Sequence, residues 1–298
     1  MSNFILIILY IVIGYGLQYV KLPIKNLANI LNKFVIYLSL PAMILLTIPT
    51  IEFTKESVVP VYIAWGVMII SAIIVLLVSK LMNFSKKITG SLMLVSVLTN
   101  SSFVGIPLIS GYLGNEALPY IVIYDQLGTF LALATYGTFV TTYYASSGEV
   151  SFKQIALKVV LFPPFVFLII SLFLSNIEFP TFIHTPLELL AATIVPFALI
   201  AVGLQLKFKL PRDELKPFAV SLGIKLIIAP IIAILMAKAF GWSGFIVKIS
   251  ILEASMAPMI TAAAMASMVG LAPRLSNAIV GYGIAFSFVS SYLVYILL

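Results

Sequence analysis

Long apolar stretches recur along the chain, and short clusters of charged residues, glycine, proline and asparagine separate them. A transmembrane helix needs about 20 predominantly apolar residues, so each stretch is long enough to cross a bilayer. The pattern predicts ten spans, at 3–20, 30–49, 58–80, 89–112, 118–144, 156–176, 187–206, 216–239, 245–270 and 275–297. We therefore expect an all-α integral membrane protein with ten transmembrane helices.

The composition agrees with a membrane protein and restricts the chemistry. Of 298 residues, 62% are hydrophobic and 9% charged, whereas soluble domains have about 45–50% and 25%. The sequence has no cysteine and a single histidine, His184. We therefore expect no thiolate or imidazole metal site, no cofactor and no catalytic residues. The net charge of +7 fits basic loops at an anionic membrane surface better than nucleic-acid binding.

Lysine and arginine are concentrated in the loops that follow the odd-numbered spans. These loops hold 13 of the 17 basic residues, and the opposite loops hold three. Because cytoplasmic loops carry the excess of Lys and Arg, this bias predicts a multi-pass protein of the cell membrane. Both termini are then expected outside the cytoplasm.

The prolines occur in the same order in the two halves of the chain. Four pairs are separated by 157, 155, 157 and 151 residues: Pro23 and Pro180, Pro41 and Pro196, Pro60 and Pro217, and Pro107 and Pro258. This spacing predicts a first five-helix repeat at 1–144, a linker loop at 145–155 and a second repeat at 156–298. Since each half has an odd number of spans, the repeats would have opposite topology, as in many secondary transporters.

Two spans carry polar residues and a proline in their middle. Span 4 contains Asn100, Ser101, Ser102, Gly105 and Pro107, and its helix is expected to break just before the proline. The freed backbone groups cannot face lipid, so they must line a protein-buried cavity. The alternative is a simple proline kink satisfied by neighbouring helices.

Span 9 has a corresponding interruption at Ser255, Ala257 and Pro258. Interrupted helices at matching repeat positions indicate a transport site at the membrane midplane. The N-termini of the second half-helices would present N–H groups and partial positive charge to an anion. We expect the polar and small residues of both interruptions to line the site, with Ser39 beside Pro41 completing one wall.

The segments Asn32–Leu46 (NKFVIYLSLPAMILL), Asn100–Leu108 (NSSFVGIPL) and GNEAL at 114–118, with the Ala257-Pro258 break, resemble the auxin efflux carrier family. This family lies within the bile-acid/arsenite-type transporter superfamily. The resemblance implies ten helices in two inverted repeats, with helices 4 and 9 broken and crossing. It also implies that helices 1, 2 and 5 of each repeat form a scaffold or interface, while helices 3 and 4 move as a transport unit. The long cytoplasmic loop of the plant carriers is absent.

Three ionisable residues lie inside predicted spans: Lys225, Glu253 and Asp125. Intramembrane ionisable groups are expensive and commonly functional. Lys225 could be the countercharge for an anionic substrate, or Glu253 or Asp125 could take up a proton and couple transport to the gradient. A permanent Lys–carboxylate pair that holds helices together is the structural alternative. Glu253 is the favoured partner, because spans 8 and 9 are consecutive.

These features favour a secondary transporter over the two other classes considered. An enzyme would need convergent catalytic groups, and the Gly-x-Ser-x-Gly, His-Glu-x-x-His and paired Asp-rich motifs are absent. A channel would need rings of charge or carbonyl filters. We therefore expect alternating-access transport of a small organic anion, with H⁺ or Na⁺ as the coupling ion left open. Membrane lipid is the other expected partner, and a homodimer remains open.

Overall fold

The computed structural model describes residues 2–20, 26–50, 54–145, 160–174, 179–206 and 212–298. Within them, each predicted apolar span contains a helix, and the only β-type pairing is one isolated bridge. The helices are α1 Ser2–Leu17, α2 Leu27–Thr47, α3 Lys55–Leu81, α4a Lys86–Val95, α4b Ser101–Leu113, α5 Asn115–Tyr144, α6 Pro163–Phe173, α7 Thr181–Gln205, α8 Leu215–Ala239, α9a Phe245–Ala254, α9b Ile260–Met268 and α10 Pro273–Leu297. The all-helical prediction is confirmed.

Six of these helices are long and apolar enough to cross a membrane: α2, α3, α5, α7, α8 and α10. Helices α1, α4b and α6 are shorter apolar helices. Most of the predicted linker at 145–155, and the beginning of span 6, lie outside the described residues.

The helices pack into two groups. In the first group α1 and α2 pack against α7, and α6 packs against α2. In the second group α3 packs against α5, α8 and α9a, while α10 packs against α9b and α4a. The family resemblance implied that helices 5 and 10 belong to the scaffold. Their packing contradicts this, because α5 and α10 both lie against the interrupted helices 4 and 9.

Helices α2 and α7 are each irregular just before a proline. Val35–Ser39 forms a wide π-type turn ahead of Pro41, and α7 has a turn at Thr193 ahead of Pro196. A proline cannot donate to the carbonyl four residues earlier and clashes with it, so the preceding turn is distorted. The two irregular points meet, because Ser39 Oγ lies 2.6 Å from Thr193 Oγ1. Ser39 therefore joins α2 to α7, and it does not form the wall that the sequence predicted.

Two glycines allow α1 and α7 to pack backbone against backbone. A Cβ atom added at Gly14 would lie 2.2 Å from the carbonyl oxygen of Ile200, and one at Gly203 would lie 2.3 Å from that of Ile11. Small residues at helix crossings are the usual solution inside membranes.

We expect Gly14→Ala to lower the free energy of unfolding by about 1–3 kcal/mol, because backbone atoms must move to admit the methyl group. Gly16→Ala is a control on the same helix, since a Cβ atom there would meet nothing within 4 Å. It should leave stability unchanged or raise it by up to about 1 kcal/mol. Chemical denaturation in detergent measures both values, and equal losses would mean that the close α1–α7 approach is not required.

Candidate functional site

The breaks in helices 4 and 9 lie against each other. The α-helix is lost over residues 96–100 and 255–259, and Thr99 and Pro258 form an isolated antiparallel bridge. The Asn100 N–H donates to the Ala257 carbonyl at 2.9 Å, and the Met259 N–H donates to the Leu98 carbonyl at 3.1 Å. The two interruptions thus satisfy each other's backbone groups, which a simple proline kink would not require. We call this pair of segments the crossover.

Asn100 begins the second half of helix 4. Its side-chain Oδ1 accepts from the Phe103 N–H at 3.3 Å, as an N-cap residue does. Its amide nitrogen Nδ2 is buried and has no hydrogen-bond partner among the described residues. The amide thus uses one end to cap α4b and leaves the other end free.

Pro107 is not at the break. It lies inside α4b, and the wide π-type turn Ser101–Gly105 precedes it. In a π-type turn each N–H bonds the carbonyl five residues earlier and not the one four residues earlier. A proline that follows such a turn is therefore accommodated without a second break. The predicted break immediately before Pro107 is therefore wrong, because the N-cap at Asn100 and its pairing with Ala257 set the boundary.

The predicted residues of helix 9 hold the crossover in place. Ala257 accepts the Asn100 N–H, and a Cβ atom added at Gly283 would lie 2.6 Å from the Pro258 ring. Ser255 Oγ donates to the Leu252 carbonyl at 2.6 Å. Ser255, Ala257 and Pro258 are all buried, and none of these three residues lines the cavity described below.

Lys225 is fully buried and reaches both breaks. Its Nζ donates to Thr99 Oγ1 at 2.5 Å and to the Ala254 carbonyl at 3.5 Å. A cation at the C-terminal end of α9a is favourable, since carbonyls there lack helical partners. Lys225 therefore ties the unwound part of helix 4 to the end of α9a.

The expected direct ion pair between Lys225 and Glu253 is not formed. Among the described residues, no Lys225–carboxylate distance falls within 4.0 Å, although the two charges interact electrostatically. Both Glu253 oxygens are buried without a hydrogen-bond partner, and a Cβ atom at Gly105 would lie 2.7 Å from each. Two of the three donors of the Lys225 ammonium group are directed at Thr99 and Ala254 and not at a carboxylate. Gly105 leaves the space that the Glu253 carboxyl occupies.

Asp125 accepts hydrogen bonds from the two serines that follow Asn100. Its Oδ1 accepts from Ser101 Oγ and, at 2.6 Å, from Ser102 Oγ. Its Oδ2 accepts from Gln126 Nε2 at 2.6 Å. Buried polar groups need such partners, so Asp125 uses the O–H donors of both serines, which leaves their oxygens only as acceptors for a ligand.

A cavity of about 170 Å³ lies between the crossover and α2. Its lining residues come from α2, helices 4, 5 and 9 and the start of α6: Ile36, Leu40, Asn100, Ser102, Phe103, Asp125, Gln126, Phe130, Leu133, Phe162, Met259, Ile260 and Thr261. Asn100, Ser102 and Asp125 are the candidates from the sequence that line it. Gln126 was missed, although a polar residue beside Asp125 in an apolar span was a usable signal.

Two larger openings lie at opposite ends of the helices that surround this cavity. One, of about 400 Å³, is bordered by Thr47, Ser110 and Glu188 near the loops with few basic residues. The other, of about 380 Å³, is bordered by Asn29, Gln205 and Asn277 near the basic loops. Ile260 borders both the crossover cavity and the second opening. In the described part of the chain, no three His, Cys, Asp or Glu side chains group as a metal site would need.

Comparison with known proteins agrees with this architecture. Residues 1–296 match the family described as membrane transport protein. The chain belongs to that family, which is the auxin efflux carrier family. The matched residues include both interrupted helices and almost the whole chain.

Two archaeal relatives of this family member are described as uncharacterized transporters. The one from Methanothermobacter thermautotrophicus is 27% identical over 264 residues, which are 87% of this chain and 85% of the relative. The one from Methanocaldococcus jannaschii is 27% identical over 273 residues, or 86% and 85% of the two chains. The chain is thus a multi-pass membrane protein of a transporter family.

Proposed function

We propose that the protein is a secondary transporter that moves a small organic anion by alternating access, with its substrate site at the crossover. The observation that carries the proposal is the backbone pairing of two broken helices beside a cavity bordered by Asn100, whose Nδ2 has no hydrogen-bond partner among the described residues. Unwound helix segments are tolerated at membrane depth where they are buried in protein or line a cavity. Such segments form the sites of secondary transporters.

The packing supports a ten-helix arrangement with two inverted repeats. Helix α1 packs against the second half of α7, and α6 packs against the second half of α2. If the first repeat is superposed on the second, α1 takes the place of α6 and α2 takes the place of α7. Each of the two contacts then becomes the other. The two openings are also counterparts, since each lies between α2, α7 and one broken helix. Rocking of one helix group against the other would open them in turn.

The charges around the cavity favour transport of an anion together with a cation. Asp125 lines the cavity, whereas Lys225 lies on the crossover and is not among the lining residues. A carboxylate that enters beside ionised Asp125 would meet a like charge, which is costly at low dielectric. An accompanying H⁺ or Na⁺ removes that repulsion. Besides Asp125, Glu253 is a second group that could carry a proton, since its oxygens have no hydrogen-bond partner among the described residues.

Counterflow in proteoliposomes tests the proposed function. Vesicles loaded with one unlabelled organic acid should take up labelled external acid faster than empty vesicles do, and the rate should saturate. A transporter that alternates between two states exchanges solutes in this way without measurable conductance. Single-channel currents carried by the same anion would instead identify a channel.

The orientation follows from the basic loops. Tags at residues 1 and 298 should both react with impermeant reagents added outside the cell, and a tag near residue 148 should not, because the loop after span 5 is expected in the cytoplasm. Labelling of intact and opened cells measures this. A cytoplasmic terminus would contradict two five-helix repeats of opposite topology.

A further inference from the structure

Two unpartnered polar atoms belong to residues that line the same cavity. Asn100 and Gln126 are each at most 2% exposed, and both border the crossover cavity. The Asn100 Nδ2 donor and the Gln126 Oε1 acceptor have no hydrogen-bond partner among the described residues. The other end of each amide is occupied, by the Phe103 N–H and by the Asp125 carboxylate. The Phe103 N–H can only donate and an ionised Asp125 can only accept, so these partners assign the oxygen of Asn100 and the nitrogen of Gln126.

The rest of the lining gives little choice of ligand chemistry. Asp125 already accepts from three donors, none of the described residues that border the cavity is a lysine or arginine, and most of them are apolar. A carboxylate there would find one free donor and would face both the Gln126 carbonyl and Asp125. Leaving a buried acceptor unpaired is unfavourable, and placing two negative charges together is more so.

We propose that the crossover cavity binds the neutral form of its substrate, through a head group that combines one acceptor and one donor. A protonated carboxylic acid or a carboxamide has this pattern: its C=O accepts from Asn100 Nδ2, and its O–H or N–H donates to Gln126 Oε1. The inference rests on the proposed function and specifies it, because the transported anion then binds together with one proton. The coupling proton is carried on the ligand's own carboxyl oxygen, while the oxygens of Asp125 are engaged by Ser101, Ser102 and Gln126.

Three probes of similar shape test the head group on the purified full-length protein in detergent: benzamide, benzoate and methyl benzoate. Their aromatic body suits a wall that includes Phe103, Phe130 and Phe162. We expect benzamide to bind with an affinity that does not vary with pH. The apparent affinity for benzoate should fall about tenfold for each pH unit above the pKa of benzoic acid, because only the neutral acid binds. Methyl benzoate has no donor and should bind about 5- to 150-fold more weakly than benzamide.

Replacement of Gln126 separates a selective role from a structural one. In Gln126→Met the carbonyl is gone, so the preference for benzamide over methyl benzoate should disappear, even if both bind more weakly. Gln18→Met is a matched control, because Gln18 donates to the Gly203 and Leu206 carbonyls and does not border the cavity. It should keep the preference.

Three results would overturn the inference. They are benzoate binding that is constant with pH or depends on Na⁺, binding of none of the three probes, and an unchanged preference in Gln126→Met. The first result leaves an anion transporter at the crossover intact and removes only the neutral ligand. Counterflow with organic acids tests the proposed function without reference to these probes, so the two failures are distinguishable.

Discussion

Lys225→Met is expected to lower the free energy of unfolding by about 2–4 kcal/mol, because it removes two hydrogen bonds with a charged donor, each worth about 1.5–3 kcal/mol at good geometry. The ammonium group supplies hydrogen bonds to Thr99 and Ala254 at both breaks. Without it, the Ala254 carbonyl loses a donor and Glu253 loses the positive charge with which it interacts. Thermal and chemical unfolding in detergent measure the loss.

Two further variants identify the cause of that loss. Glu253→Gln in the Lys225→Met background replaces the buried carboxyl that has lost its nearby cation with a neutral amide and should recover part of the stability. Lys238→Met, on the same helix but exposed, should change stability by no more than about 0.5 kcal/mol. A double variant as unstable as Lys225→Met would show that the side chains of Lys225 and Glu253 do not stabilise each other. Normal stability with lost anion binding in Lys225→Met would make Lys225 the substrate's countercharge instead.

The second large effect is expected at Asn100. Asn100→Ala removes the unpartnered Nδ2 donor of a residue that borders the cavity, so ligand binding should weaken by about 1–3 kcal/mol. It also removes the N-cap of α4b, which should lower stability by about 0.5–2 kcal/mol. Isothermal titration or thermal shift with the best ligand found by counterflow measures the first effect, and denaturation measures the second.

Asn100→Ser separates binding from capping. A serine hydroxyl can still cap α4b, but it has no amide to donate to the ligand. Asn100→Ser should therefore keep most of the stability and lose the affinity. Unchanged affinity in both variants would place the binding site elsewhere.

The sequence predicted the helical spans and the two interruptions well. Apolar length reports membrane spanning directly, and a polar segment with proline inside such a span is costly in lipid unless protein buries it. The position of the break was less predictable. At Pro107 the local rule expects a break, but the Asn100 N–H pairs with Ala257, which is distant in sequence, and this pairing moves the break six residues earlier.

The roles of single polar residues were the least predictable. Ser39, Ser101 and Ser255 were expected to line the site, but they do not border the cavity. Their hydroxyls bond Thr193, Asp125 and the Leu252 carbonyl. Which hydroxyl is used up and which amide stays free depends on distances of a few tenths of an ångström between helices. Composition and spacing carry no such information: the polar residue beside Asp125 could be noticed in the sequence, but not that its carbonyl oxygen lacks a partner.

Labelling of single cysteines from each side of the membrane tests alternating access at the crossover most directly. The chain has no cysteine of its own, so Thr261→Cys introduces one thiol into the cavity, while Ser110→Cys and Asn277→Cys place one in each opening. In sealed vesicles of known orientation, an impermeant thiol reagent should modify Ser110→Cys only from outside, Asn277→Cys only from the cytoplasmic side, and Thr261→Cys from both. Modification of Thr261→Cys from one side only would contradict a substrate site at the crossover that is exposed to each side in turn.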